Sequence, residues 1–180
     1  MNKKIIISSC IVLFLGINLF KNDKKDIINI DANYMKYDML NNLEDSADAI
    51  ITGTPLKNFD NRDHKISFFD DGTIEDFYTL TDIKVNKIFK SNYNDINENQ
   101  TIEIIEPISV KDNNIITYSG YTPLDENEEY IIFLAKNSNG KYSVINMEEG
   151  KFSYNSKQYE SSKNKSNSLS NQVYNKYIKK

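Results

Sequence analysis

Polar and apolar positions alternate with period two over much of this chain, and that pattern predicts a protein built mainly of short strands. The longest alternation is "FYTLTDIKVNKIFK", residues 77–90. Phe77, Thr79, Thr81, Ile83 and Val85 share one face, Lys84 and Asn86 point away, and Phe89 joins the apolar face if the register holds. "ADAIITGT", residues 47–54, predicts an earlier strand in which Gly53 marks a bulge or bend. "TIEIIEP" predicts a strand that Pro107 ends, and "ISVKDNNIITYSGY" two short extended pieces broken between Lys111 and Asn114. In "EEYIIFLAKNSNGKYSV", Tyr130, Ile132 and Leu134 point one way while Ile131, Phe133 and Ala135 point the other. Apolar residues on both faces predict a central strand, with a barrel interior on one side and a helix or long loop on the other. "NSNG" then supplies a hairpin turn, and "EEGKFSYN" one more turn and strand.

Helical spacing occurs twice. Met35, Met39 and Leu43 predict an amphipathic helix over residues 34–43, packed on the barrel and followed by a turn at "EDS". Leu169, Val173, Tyr174 and Tyr177 have the spacing of a closing helix in an otherwise polar tail. The amino terminus differs from both: Lys3 and Lys4 precede an apolar run from Ile5 to Phe20, the form of a secretory signal or membrane anchor. The predicted organisation is a signal or anchor over 1–21, a polar linker over 22–33, a barrel domain with its helix over 34–155, and over 156–180 a polar tail, either a weak helix or disordered. The fold class is mainly β: a small antiparallel OB-like barrel with a short preceding helix, an N-terminal hydrophobic segment and a possible C-terminal helix.

Three phrases in order carry a resemblance: "SADAIITGTP", "YTLTDIKVNKIFKS" and "EEYIIFLAKNSNGKYSV". Together they resemble the OB-like barrel of netrin-type modules and tissue inhibitors of metalloproteinases, over residues 47–154. The phrase "GYTPLDENEEYIIFL" is also similar to one in small exported proteins of Gram-positive bacteria. The resemblance implies the fold. It does not bring the inhibitors' zinc-chelating N-terminal cysteine or their disulfides, because no cysteine lies near Ala47.

Composition adjusts this picture in a few places. The 180 residues carry a net charge of -4, which argues against a nucleic-acid partner. The single cysteine, Cys10, excludes an intrachain disulfide and a cysteine-based zinc site. "ISSC", Ile7 to Cys10, offers a lipid-attachment reading beside cleavage or retention of the apolar segment, and all three place the rest of the chain at the cell surface or outside the cell. His64 is the only histidine, no Gly-x-Ser-x-Gly surrounds a serine, and no catalytic residue, metal site or cofactor is expected. The expected role is a non-enzymatic, membrane-associated binding module for a protein partner or envelope component. Its contacts are expected on the loops "KNFDNRDHK" and "SNYNDINENQ", through Phe59, Arg62, Asp63, His64 and Tyr93. Inhibition of an extracellular protease, or hydrolysis at a dispersed acidic site, are the alternatives.

Overall fold

A computed structural model describes residues 25–155 and 168–179. The apolar N-terminal segment, including Cys10, lies outside the described residues. The elements run β1 (Ile27–Ile30), α1 (Leu40–Ser46), β2 (Ala49–Pro55), β3 (Asp63–Phe68), β4 (Ile74–Ser91), β5 (Thr101–Glu106), β6 (Ile108–Lys111), β7 (Asn114–Tyr118), β8 (Tyr130–Lys136), β9 (Tyr142–Val144), β10 (Lys151–Ser153) and α2 (Leu169–Val173), which continues as a π-helical turn, Tyr174–Ile178.

Five strands close into a barrel: β2 pairs β4, β4 pairs β5, β5 pairs β9, β9 pairs β8, and β8 returns to β2. Every pairing is antiparallel except β5 with β9. A three-strand meander closed through one parallel pair is an OB-like topology. Closure leaves these five strands no free edge, which removes the usual liability of a small sheet.

β8 shows why both its faces are apolar. Tyr130, Ile132 and Leu134 join Ile51, Ile83, Val85 and Ile104 inside the barrel. Ile131 and Phe133 face outward into a second cluster with Leu40, Leu43, Phe152, Leu169, Val173 and Ile178. The two helices therefore form the outer wall. Each such buried aliphatic or aromatic side chain contributes about 1.5–3 kcal/mol, so both clusters matter to stability.

The alternation of β4 holds from Phe77 to Val85 and then changes. Thr52 pairs Lys87 but Gly53 pairs Val85, and Ile50 pairs Lys90 but Ile51 pairs Ile88. Asn86 and Phe89 are thus the extra residues of two bulges. Ile88 packs on the interior cluster and Phe89 on the helix-covered one, so the register does not carry Phe89 to the apolar inner face. Gly53 sits where the strands approach closely: a Cβ there would lie 2.4 Å from Ile83 Cγ2.

Two expectations are corrected. The helix spans Leu40–Ser46 rather than 34–43, and Met35 and Met39 are 71 % and 50 % exposed. Tyr37 is held out of the helix by Asn146, whose Oδ1 accepts its N–H at 2.9 Å and whose Nδ2 donates to its carbonyl at 3.0 Å. The segment expected as linker contributes β1, which pairs in parallel with β7 in a small sheet ordered β1-β7-β6. Among the described residues no helix is long and apolar enough to cross a membrane.

Candidate functional site

The connection from β2 to β4 carries four of the five residues expected to bind. Its first turn is a 3-10 turn, Phe59–Asn61, capped by Asn58, whose Oδ1 accepts from the Asn61 N–H at 3.2 Å. The next residue, Arg62, turns inward. Its Nε donates to the Lys57 carbonyl at 2.9 Å, Nη1 to Glu106 Oε1 at 2.7 Å and Nη2 to the Leu124 carbonyl at 2.5 Å. The Arg62 and Glu106 side chains are 1 % and 0 % exposed. Glu106 also accepts from Thr81 Oγ1, from the Tyr121 hydroxyl at 2.9 Å and from the Leu124 N–H at 2.9 Å. Two donors on each oxygen fill the carboxylate's lone pairs. The adjacent anion and burial push the Tyr121 hydroxyl well above the ordinary tyrosine range, burial being the larger cause.

Arg62 is therefore a staple rather than a surface contact. It fastens the β2–β3 loop to the end of β5 and to the "GYTPLD" segment. That segment is thereby explained: Tyr121 and the Leu124 backbone complete the shell around Glu106.

His64 stands at the start of β3. Its Nδ1 lies 2.9 Å from Thr79 Oγ1, and that hydroxyl already donates to the Ile108 carbonyl at 2.6 Å. In the neutral imidazole Nδ1 then carries the proton and Nε2 is the bare acceptor. Nε2 is buried without a hydrogen-bond partner. The Phe59 ring meets the imidazole edge-on at 4.8 Å. Burial, foremost, lowers the His64 pKa from its ordinary value. Asp63 is exposed and paired with Lys65 at 2.8 Å.

Tyr93 does not join this group. Ala49 pairs Ser91 while Pro55 pairs Ile83, so Tyr93 and the β2–β3 loop flank opposite ends of β2. Tyr93 is 54 % exposed, with Lys136 Nζ 4.8 Å from its ring centre. Lys136 also holds Asp95, which accepts from the Tyr142 hydroxyl at 2.7 Å. The Lys136 hydrogen bond, foremost, holds the Asp95 carboxyl below its usual range.

Beyond Asp63 the chain builds an arm. β3 pairs with the first part of β4, from Asp63 opposite Leu80 to Phe68 opposite Ile74. The small sheet backs the arm midway along, where Phe77, opposite Ile66, stacks on Tyr118 at 4.0 Å. The arm ends in a tight turn. The Phe69 N–H donates to the Thr73 carbonyl, the Gly72 N–H to the Phe69 carbonyl, and Asp71 Oδ1 accepts from both the Thr73 N–H and its hydroxyl. Gly72 takes φ +82°, which favours glycine. Phe68 and Phe69 sit at this stiffened tip, 50 % and 55 % exposed. Sequence reading placed contacts on the preceding loop and missed the tip. The available signal was two adjacent phenylalanines running straight into a turn.

The outer face of β4 and β5 carries mixed charge. Lys57 pairs Asp82 at 3.1 Å, and Lys141 pairs Glu103 at 2.6 Å. These pairs offset the positive charge that a polyphosphate partner would require. A cleft of about 520 Å³ between α1, the end of β4 and the C-terminal turn is lined by Glu44, Asp45, Ile50, Phe89, Lys90, Lys176 and Tyr177. The Glu44 carboxylate there accepts from Lys176 Nζ at 2.6 Å and from the Tyr177 hydroxyl, so it serves to latch the C-terminal turn onto α1. Among the described residues no group of three His, Cys, Asp or Glu is arranged to hold a metal ion. No protein-family model matches the chain, and a comparison with curated proteins finds no match either.

Proposed function

We propose that this chain is a non-enzymatic binding module, an OB-like barrel of netrin-type resemblance, tethered to or released from the outer face of a membrane. It engages a protein partner or envelope component through the tip of the β3–β4 arm. The observation that carries this reading is the pair Phe68 and Phe69, half exposed on a turn that internal hydrogen bonds hold rigid. Exposed aromatic rings contribute little to folding, whereas rigid aromatic anchors are the residue type that dominates protein interfaces. A preorganised turn also reduces the ordering cost of binding. The apolar run from Ile5 to Phe20 supports the extracytoplasmic location.

The test is photo-crosslinking in the native cell. With a photoreactive residue in place of Phe69 in the full-length chain, a discrete adduct is expected. The same residue at Thr101, exposed on the barrel wall, is the control. No adduct at position 69, or identical bands from both positions, would contradict the placement.

A further inference from the structure

The segment "KDIINID", residues 25–31, forms the outer strand of the small sheet. The opposite edge of that sheet, β6, is occupied: Ser109 Oγ donates to the Lys65 carbonyl at 3.4 Å, and Thr79 Oγ1 to the Ile108 carbonyl. Among the described residues, the open edge of this sheet is therefore β1. Edge strands are normally protected by a charge, a proline or a bulge. β1 itself, Ile-Ile-Asn-Ile, carries no proline, bulge or charge, and its charges, Lys25, Asp26 and Asp31, stand at its two ends. Ile27 and Ile28 are 69 % and 47 % exposed.

The parallel pairing fixes which backbone groups are already used. Asp26 and Ile30 accept from the N–H groups of Ile115 and Ser119. By alternation, residues 26, 28 and 30 turn their N–H and C=O toward β7, while 27, 29 and 31 turn theirs outward. We infer that β1 pairs antiparallel with β1 of a second copy of this chain, about a two-fold axis at Ile28, joining the two small sheets into one of six strands.

Two independent constraints select that register. Outward residues can pair only with outward residues, so a slip of one position is forbidden and the axis passes through residue 27, 28 or 29. With the axis at 28, Ile27 pairs Asn29 and Lys25 pairs Asp31, each twice by symmetry. With the axis at 27, Asp31 meets Asp23 by sequence; with the axis at 29, it meets Ile27. Only the middle register sets opposite charges across the interface, and like charges directly opposite are destabilising. Lys25, already paired with Asp60 in its own chain, then lies between two carboxylates. The axis also brings the two Ile28 side chains together as a non-hydrogen-bonded pair, the closest kind in an antiparallel ladder.

Cysteine substitution reads this register directly, using the full-length chain in native membranes with Cys10→Ser as background. The Ile28→Cys chain should form a disulfide-linked homodimer on mild oxidation, about tenfold more than Thr101→Cys, because Cα atoms of a non-hydrogen-bonded pair lie within disulfide reach. Ile30→Cys alone should give no such excess, but mixed with Asp26→Cys it should link to that chain. Ile27→Pro removes an outward N–H and spares the bonds to β7, so it should abolish the Ile28→Cys dimer. A homodimer yield from Ile28→Cys at the Thr101→Cys level, together with no Asp26–Ile30 link, overturns the inference. So does a dimer that survives Ile27→Pro.

Discussion

Arg62→Met tests whether the buried ion pair is the keystone of the β2–β3 loop. The substitution keeps much of the side-chain volume and leaves Glu106 as a lone carboxylate at 0 % exposure. Breaking a buried pair from one side costs about 3–5 kcal/mol. The Lys57 and Leu124 carbonyls lose their guanidinium donors in the same step. For a domain of this size the combined effect is a fall in Tm of roughly 6–20 °C. Glu106→Gln alone should cost a similar amount, since it sets an amide NH2 against the Arg62 guanidinium. The double variant Arg62→Met/Glu106→Gln should be more stable than either single variant. Its glutamine oxygen can still accept from Tyr121 and the Leu124 N–H, while its NH2 donates to Thr81 Oγ1. Urea unfolding of residues 25–180, followed by circular dichroism, measures all three. A loss below about 1 kcal/mol for Arg62→Met, or a double variant as damaged as the sum of the singles, would refute the reasoning.

Further outcomes follow from single groups. His64 has a lowered pKa in the fold, so below its unfolded value of about 6.5 the unfolded chain binds the proton first. Stability should therefore fall as pH drops below that point, and His64→Gln should flatten this slope in acid-range urea titrations. Tyr121 is raised well above the ordinary tyrosine value and Tyr130 to about 12, burial being the main cause in both. The fold retains these protons after the unfolded chain has lost them, so stability should decline above about pH 10, less so in Tyr121→Phe. A Cβ on Gly150 would lie 1.6 Å from the Ile145 carbonyl oxygen, so Gly150→Ala should cost about 3 kcal/mol or more by thermal unfolding.

Much of the barrel was legible because alternation is a local property. β8 shows its double burial in six consecutive apolar residues, and β4 shows its inner face from Phe77 to Val85. The pattern misled where tertiary contacts overrode it. Met35, Met39 and Leu43 have helical spacing, yet Asn146, distant in sequence, bonds both backbone groups of Tyr37 outside the helix, which begins at Leu40. The bulges at Asn86 and Phe89 depend on how β2 meets β4, and no spacing within β4 announces them.

The candidate site was less legible. Arg62 pairs with Glu106 across 44 positions, and nothing local links them. One signal was present: Arg62 is the only arginine in the chain. Where lysine serves every other cationic position, a single guanidinium marks a place that needs a fork of several donors. His64 falls in the loop "KNFDNRDHK" because β3, the strand that begins beside it, is too short and polar to stand out.

The central claim is that the arm tip serves binding and not folding, and Phe68→Ser/Phe69→Ser tests it in one comparison. The double variant of the full-length chain, carrying a photoreactive residue at Asp70, is compared with the same chain retaining both rings. The account predicts unfolding unchanged within about 0.5 kcal/mol, as for exposed positions, and loss of the partner adduct. An adduct that persists, or a stability loss of several kcal/mol, would contradict it.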